Sequence, residues 1–202
     1  VLPYDMAPQG EMIVKVHAVV AEGHVLVVDY KGTIIPVVVG PEQAAHTQDL
    51  FRGDKIKIAY KFREEPGHPT HVEVDNSAAK PVEVLASILP QHGQTMTFEG
   101  NLVLFPNSPQ VAFNVFALQV DIGDDVKLEY TLLNFEDPDL FQKIREKLQG
   151  IWDASAIVAE NSRNKLIKKG LRIRATGPIN VVTPNQANPQ IILNSLEDLE
   201  LL

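Results

Sequence analysis

The sequence predicts a mainly β protein made of two small five-stranded barrels with one or two short helices. Three observations support this fold class. Apolar and polar residues alternate with a period of two in three stretches, which is the pattern of half-buried strands. Two continuous apolar runs are joined by a short polar turn, as in a pair of neighbouring strands. Helical spacing is confined to a few short stretches.

The first alternating stretch predicts a strand that turns its apolar side chains to the core and Lys15 and His17 to the opposite face. Its apolar set is Met12, Val14, Val16, Ala18 and Val20. The apolar runs 25–28 and 33–39 are joined by the turn residues 29–32. This arrangement predicts a strand, a turn and a second strand.

The second and third alternating stretches lie at residues 55–62 and 126–132. In the second stretch we expect the first barrel to be filled by Ile56, Ile58, Tyr60 and Phe62. In the third stretch the apolar set is Val126, Leu128, Tyr130 and Leu132. Two later strands are predicted, one after Gly170 and one at 190–193.

The clearest helical pattern follows Asp137, which can cap a helix that has Pro138 at its first position and ends at Gly150. We expect this helix to pack across a barrel and to bury Phe141, Ile144 and Leu148. Additional helical turns are predicted over residues 152–160 and 163–169, and a short helix over residues 41–50.

A weak internal repeat links the two halves. Gly53–Tyr60 matches Gly123–Tyr130 at an offset of 70, and a looser echo begins at Gly170. Each copy combines a glycine turn with a strand that carries long charged side chains on its wet face. The repeat favours two related β modules, although amphipathic strands also resemble one another by chance.

The predicted order of elements over residues 11–75 is three strands, a short helix and two strands, and the second half can be arranged in the same way. Residues 50–58 and 169–177 have the pattern of a fourth strand, and residues 189–200 that of a last strand with its tail. The chain therefore resembles the OB-fold superfamily of five-stranded barrels. The resemblance implies a fold, and no particular function, because one fold supports many functions.

We expect an extended lead-in at residues 1–10, a first OB-like module at 11–76, and a second at 82–202 with a helical insert at about 138–169. The segment 82–119 fits this scheme least well, and a β-sandwich is an alternative for it.

The composition excludes several classes of protein. The 202 residues contain no cysteine, so disulfides, thiolate metal sites and a cysteine nucleophile are absent. No apolar run approaches the roughly 18 residues of a membrane-spanning helix, which predicts a soluble protein without a membrane span. The chain is acidic, with a net charge of −8. The sequence does not determine the cellular compartment. The lead-in resembles segments that follow removed leader peptides, which favours export to the periplasm or the extracellular space over the cytoplasm.

The candidate binding residues are basic. OB barrels commonly bind single-stranded nucleic acids through basic grooves and stacked aromatic rings. The candidates for nucleic acid or another ligand are Arg163, Lys165, Lys168, Lys169, Arg172 and Arg174, with Lys55 and Lys57 at the corresponding place in the first module. The acidic net charge weakens attraction to phosphates, and no aromatic residue follows Trp152 in the larger basic run.

Signals for metal binding and catalysis are weak. His68 and His71 lie three residues apart in a Pro- and Gly-containing loop, where an exposed hairpin tip is the simpler interpretation. The sequence contains no nucleophile elbow, no P-loop and no dinucleotide-binding glycine motif. We therefore expect no catalytic residues, no metal site and no cofactor.

The function that remains is non-catalytic binding or scaffolding, with a protein or an unidentified ligand as the partner. The alternative is single-stranded nucleic-acid binding through the basic run. A polar loop between the last two predicted strands, with Thr183, Asn185 and Gln186, could line a ligand face in a barrel of this kind.

Overall fold

The computed structural model describes residues 2–3, 5–105, 112–160, 166–182 and 187–202, and at 157–160 and 166–169 it describes the backbone. Its strands are β1 (Gln9–Val20), β2 (Val25–Tyr30), β3 (Thr33–Val38), β4 (Lys55–Arg63), β5 (His71–Val74), β6 (Val82–Ala86), β7 (Thr95–Phe105), β8 (Val115–Asp121), β9 (Lys127–Leu133), β10 (Ala156–Glu160), β11 (Leu166–Lys169), β12 (Arg172–Asn180), β13 (Gln190–Ile192) and β14 (Leu199–Leu201). The α-helices are α1 (Pro41–Thr47) and α2 (Pro138–Asp153). Short 3₁₀ turns lie at Ala21–Gly23, Leu89–Gln91 and Leu196–Asp198.

The chain forms two compact units. The first consists of Val1–Pro90, Ile122–Val126 and Thr183–Ala187. The second consists of Gln91–Asp121, Lys127–Val182 and Asn188–Leu202.

The first unit contains a closed five-stranded barrel. Its strands follow one another in the order β1, β2, β3, β5, β4, and β4 pairs antiparallel with β1 to close the ring. The pairing of β3 with β5 is parallel, while the others are antiparallel. The sixth strand, β6, adds to the free part of β4. The helix α1 connects the third and fourth strands.

The second unit repeats this topology. Its ring is β7, β8, β9, β13, β12, with β12 antiparallel to β7 and β13 parallel to β9. The extra strand β14 adds to β12, as β6 adds to β4. The helix α2 and the hairpin β10–β11 lie between the third and fourth strands of the ring.

Both rings have the OB-fold arrangement of a small five-stranded barrel with a helix between the third and fourth strands. The predicted fold class is therefore confirmed. The strands β4 and β12 occupy the fourth position and β13 the last position, as the resemblance implied. The strands β7 and β8 belong to the second ring, so the β-sandwich alternative for residues 82–119 is wrong.

In the second and third alternating stretches, the core contains the residues that the apolar periodicity selected. In β4, Ile56, Ile58 and Tyr60 are buried, and Phe62 packs at the margin of the same cluster. In the second ring, Tyr130 is buried and stacks on Phe98 with ring centroids 4.6 Å apart. Burial raises the pKa of the Tyr130 phenol to about 12.

The helix α2 confirms its predicted cap and its predicted buried face. The Asp137 carboxylate accepts a hydrogen bond from the backbone N–H of Leu140 at 3.1 Å. Phe141, Ile144 and Leu148 are buried. The helix continues through Gly150 to Asp153, because the next turn buries Ile151 and this burial outweighs the roughly 1 kcal/mol helix penalty of glycine.

The prediction of helix over residues 152–160 and 163–169 holds for Trp152 and Asp153 and is wrong for residues 156–160 and 166–169. Helix α2 ends at Asp153, and residues 156–160 and 166–169 form the antiparallel hairpin β10–β11. β-Branched residues in the first of these segments favour strand over helix once a pairing partner is present.

The internal repeat joins strands that are not equivalent. Its first copy lies on β4, the fourth strand of the first ring, whereas its second copy lies on β9, the third strand of the second ring. The weaker third match begins at Gly170, just before β12. The strand β12 is the fourth strand of the second ring and therefore corresponds to β4. The duplication of topology is real, but the offset of 70 reflects the shared pattern of two amphipathic strands.

A β-bulge in β1 overturns the predicted facing of its second half. The register with β2 shifts between Val16 and Ala18, so that the intervening residue adds one position to β1. Val16 is buried, but Val20 beyond the bulge is exposed and Val19 packs against the core instead. A one-residue shift exchanges the two faces of a strand, which places Ala18 and Val20 outside.

Gly100 lies where β7 contacts both neighbouring strands. A Cβ added to Gly100 would overlap the backbone carbonyl of Gln119 in β8. Backbone cannot yield as a flexible side-chain end would, so this position tolerates only glycine.

We expect Gly100→Ala to lower the free energy of unfolding by about 1–3 kcal/mol, the usual cost of overpacking. Gly150→Ala is the matched control, because Gly150 lies in α2 with nothing within 4 Å of an added Cβ. That control should stabilise by up to about 1 kcal/mol. Urea unfolding of both variants measures the free energy of unfolding. If Gly100→Ala and Gly150→Ala change this free energy by the same amount, the close approach of β7 and β8 at Gly100 is contradicted.

Asp54 is a buried carboxylate that joins two parts of the first unit. It accepts hydrogen bonds from the backbone N–H groups of Phe51 and Ile88, each at 2.8 Å. The backbone of Asp54 also binds β1, since the N–H of Val16 donates to its carbonyl at 2.9 Å. Burial raises the pKa of the Asp54 carboxyl despite these hydrogen bonds.

We expect Asp54→Ala to cost about 2–4 kcal/mol, because two backbone donors lose their acceptor. The raised pKa adds a pH dependence with a definite sign. The folded protein holds the Asp54 proton at a pH where the unfolded chain has released it, so the stability advantage of the wild type grows as pH falls through that window. Chemical denaturation of the wild type and of Asp54→Ala at pH 7 and near pH 4 measures both effects. A difference in the free energy of unfolding between the two proteins that shrinks on acidification would contradict the expected pH dependence.

Candidate binding surfaces

The predicted candidate Lys55 is engaged inside the first unit. Its ammonium lies 2.7 Å from a carboxylate oxygen of Asp124 and donates to the carbonyl of Ile122 at 3.1 Å. Its side chain is largely buried. Lys55 therefore presents no uncompensated charge to a ligand.

Lys57 is flanked by carboxylates on both neighbouring strands. Its ammonium lies 3.8 Å from Glu11 of β1 and 3.6 Å from Glu83 of β6. Such cross-strand pairs stabilise a sheet modestly and cancel the charge that a phosphate would need.

In the second unit, Arg174 is held by two carboxylates. Its guanidinium donates to Glu99 of β7 at 2.7 Å and to Glu200 of β14 at 2.6 Å. These hydrogen bonds raise the pKa of Arg174 further above its ordinary value. Its neighbour Arg172 lies 3.4 Å from the side-chain oxygen of Asn101.

The remaining candidates lie in or next to segments outside the described residues. Arg163 and Lys165 lie outside the described residues, as do Thr183, Asn185 and Gln186 of the polar loop. Lys168 and Lys169 belong to β11, whose backbone alone is described. The structure therefore brings no group of uncompensated cations together among the candidates whose side chains it describes.

The described parts of the chain also contain no group of three or more His, Asp and Glu residues that could hold a metal ion. His71 lies in β5 opposite Arg63 of β4. Within the same described ranges, no helix has the length and apolarity needed to cross a bilayer.

An apolar surface that the charge pattern did not reveal covers the outside of the first three strands. We call it the β1–β3 face, and it consists of Ala18, Val20, Val25, Val27, Ile34, Pro36 and Val38. The most exposed of these side chains are Ile34 at 46%, Val20 at 45% and Val38 at 40%. Each alternates along its strand with a buried residue, as the two faces of a strand require.

The strand register places these side chains in rows. Val20 pairs with Val25, and Val25 pairs in turn with Val38 on β3. The next row joins Ala18, Val27 and Pro36. The face is therefore contiguous across three strands rather than a set of scattered apolar residues.

One end of the β1–β3 face is closed by an ion pair. Lys15 is opposite Asp29 in the sheet, with 3.7 Å between ammonium and carboxylate. Asp29 is in turn opposite Ile34. The charges at this end compensate each other and leave the face uncharged at its centre.

A groove of about 450 Å³ continues the β1–β3 face toward β5. Its lining includes Ile34 and Pro36 from the face, Val72 from β5, and Pro69 and His71 beside it. The parallel pairing of β3 with β5 covers only two residues of each strand, which leaves this space between them.

The equivalent outer surface of the second barrel is polar at one end, whereas its rows toward the β7–β8 loop are apolar and pair Val103 with Ala117 and Phe105 with Val115. Asn101, Gln119 and Glu129 form one cross-strand row on β7, β8 and β9, and the Gln119 amide donates to Glu129 at 3.2 Å. The next row outward pairs Asp121 with Lys127. The two barrels thus share a topology and the order of polar and apolar rows on this surface, and the β1–β3 face is the more exposed, with Ile34 at 46% and Val20 at 45% against 36% for Phe105.

Sequence reasoning missed the β1–β3 face because it assigned Ala18 and Val20 to the core. One signal could have pointed to it. The runs 25–28 and 33–39 are apolar at consecutive positions, so both faces of these strands are apolar, and a barrel interior needs only one of them.

No protein-family model and no curated protein sequence matches the chain. Solved structures that match the chain include two forms of one protein. One is the wild-type single-stranded DNA binding protein from Thermus aquaticus, with 14% identity over 97% of this chain and 94% of that chain and a TM-score of 0.28. The other is a deletion mutant of that protein, with 15% identity, coverage of 98% and 96%, and a TM-score of 0.28. Similarity at this level carries no information about a ligand of the present chain.

We expect no single-stranded nucleic-acid binding tighter than about 10⁻⁵ M at physiological salt, the range of non-specific contacts. The reason is that Lys55, Lys57 and Arg174 are already paired with carboxylates. Fluorescence anisotropy with labelled oligonucleotides measures the affinity, and the double variant Lys168→Glu/Arg172→Glu is the comparison. Sub-micromolar affinity that this double variant abolishes would contradict the expectation.

Proposed function

We propose that the chain is a non-catalytic protein-binding module and that the β1–β3 face is its binding surface. The observation that carries this proposal is the contiguous apolar surface that Val20, Val25 and Val38 form across three strands. Its aliphatic side chains are well exposed, with Ile34 at 46%, Val20 at 45% and Val38 at 40%. Strands of an OB barrel engage ligands from this side, which supports the assignment.

The chemistry of the face favours a protein over a nucleic acid. Binding of a single strand calls for aromatic stacking platforms and a positive groove. The β1–β3 face consists of Ala, Val, Ile and Pro side chains, and its nearest cation, Lys15, is paired with Asp29. Burial of aliphatic surface is the ordinary driving force of protein association.

The area of the β1–β3 face limits the kind of partner that can cover it. Three strands about 4.8 Å apart, crossed by a few rows of side chains, present roughly 15 Å by 15 Å, or a few hundred Å². Two copies packed face to face would bury well below the roughly 1,200 Å² of a stable interface. An amphipathic helix, about 10 Å in diameter, covers such a face along its length. We therefore assign the face to an amphipathic helical segment of another protein.

The negative charge of the chain indicates which charges the proposed partner helix carries. The chain carries a net charge of −8, and the tip of the β1–β2 hairpin adds the exposed Glu22 beside the face. Complementary charges around an apolar centre speed association and suppress wrong partners. The proposed helix accordingly has an apolar stripe with Lys or Arg along its flanks.

Catalysis is not part of the proposal. The sequence lacks the recognised nucleophile and phosphate-binding motifs, and the Asp29 carboxylate at the end of the face is paired with Lys15. Single-stranded nucleic-acid binding remains the competing function, and the oligonucleotide titration above separates the two.

The proposal predicts the result of a peptide selection. Random peptides of about 15 residues, long enough to form a helix, are displayed on phage and selected against the wild-type protein. We expect selected sequences with apolar residues at helical spacing and cationic flanks. Their affinities are then measured by fluorescence anisotropy on two variants that add the same charge to the same barrel.

Val38→Asp should weaken binding about tenfold or more, because the new carboxylate would be buried by the peptide. Val84→Asp is the control, since Val84 lies on β6, away from the face, and is similarly exposed at 37%. Equal affinity of a selected peptide for wild type and Val38→Asp would contradict the proposal. So would sedimentation of the wild type as a dimer that Val38→Asp dissociates, because a second copy would then be the occupant.

A further inference from the structure

An aromatic cluster in the second unit surrounds one arginine. Phe135, in the loop between β9 and α2, is 67% exposed and meets the buried Phe141 edge to face, with centroids 5.7 Å apart. Phe113 meets Phe141 in the same manner at 5.5 Å. An exposed phenylalanine costs solubility, and such residues mark binding sites.

The Arg145 guanidinium lies over two of these rings. Its central carbon is 4.3 Å from the centroid of Phe113 and 4.3 Å from that of Phe141. Cation–π contacts hold the planar group in place without using its N–H donors. No ion pair joins Arg145 to any side chain that the structure describes, in contrast to Arg174.

Two shallow hollows border this arginine. The first, of about 240 Å³, is lined by Phe113, Asn134, Phe135, Pro138, Phe141 and Arg145. The second, of about 220 Å³, shares Phe113 and Arg145 and adds polar residues of α2 such as Gln142 and Gln149. Each is smaller than a typical pocket for a free cofactor or drug-sized ligand, and suits a single side chain of a bound segment.

The charges around the cluster limit what can bind. Glu136, Asp137 and Asp139 precede or begin α2 and are exposed, and Glu146 borders the second hollow. A polyanion such as a nucleic acid would meet these carboxylates, whereas a single carboxylate can approach Arg145 alone. Arginine binds carboxylates through two parallel N–H donors, which a ring-held guanidinium presents without loss of side-chain entropy.

We propose that Arg145 and Phe135 form a second binding site, which takes a peptide segment carrying one carboxylate beside an apolar side chain. Arg145 binds the carboxylate, and the neighbouring side chain enters the apolar hollow against Phe135. The site lies wholly within the second unit and does not depend on the β1–β3 face. It stands or falls independently of the function proposed above.

The test uses two tetrapeptides that differ in one charge. The probes are acetyl-Leu-Phe-Asp-Leu-amide and its analogue with Asn in place of Asp, titrated into the isotope-labelled full chain by NMR. We expect the acidic peptide to bind about tenfold more tightly, since a charged hydrogen-bonded pair contributes about 1.5–3 kcal/mol. Shifts should centre on the amides of α2 and the Phe135 loop.

Three variants assign the residues. Arg145→Gln should abolish the preference for the acidic peptide, and Phe135→Ala should weaken both peptides about equally. Lys143→Gln removes one positive charge from an exposed position of the same helix and should leave the preference intact. The amide spectrum of each variant reports whether the fold is retained, and Arg145→Lys provides a second test if Arg145→Gln unfolds.

Two results would overturn the proposal. One is equal affinity of the acidic and neutral peptides for the wild type. The other is an oligonucleotide that binds more tightly than the acidic peptide and depends on Arg145, which would assign the site to nucleic acid.

Discussion

Each barrel closes because its first strand changes partner partway along its length. In β1, residues from Gln9 to Lys15 pair with β4, and residues from Lys15 to Val20 pair with β2. In β7, the exchange occurs at Asn101, which is opposite both a residue of β12 and a residue of β8. Closing a sheet into a ring requires the strands to tilt and to be staggered, and the long first strand contributes this stagger by pairing with one neighbour at each of its ends.

The first strands of the two units differ in their local geometry. The register of β1 with β2 shifts by one residue beyond Val16, whereas β7 pairs with β8 without a shift. Beyond the shift, Ala18 and Val20 turn outward and join the apolar residues of β2 and β3. In the second unit, β7 keeps its register with β8 from Asn101 to Phe105, and Gly100 permits a close approach to the backbone of Gln119. A bulge that helps to curve a strand thereby also creates a candidate binding surface.

The cations of both units illustrate how strand pairing removes charge that sequence spacing suggests. Lys57 and Arg174 lie on the equivalent strands β4 and β12, and each lies between acidic residues of the strands on its two sides. Those acidic residues are distant along the chain, so the local basic run did not reveal them. Arg145 is the converse case, since it lies outside the basic runs selected from the sequence and is held by phenylalanine rings.

The sequence by itself determined the secondary structure of most strands, the order of elements in each barrel, and the cap and buried face of α2. These features depend on local periodicity and on residues such as Asp137 and Ile144, whose roles are set within a few positions of the chain. The tertiary structure decided which side of a strand meets water beyond a bulge, as for Val20, and which cations are neutralised, as for Lys55. It also decided that residues 156–160 form a strand rather than a helix. Register, pairing partner and charge compensation are long-range properties, because each depends on residues that only folding brings together.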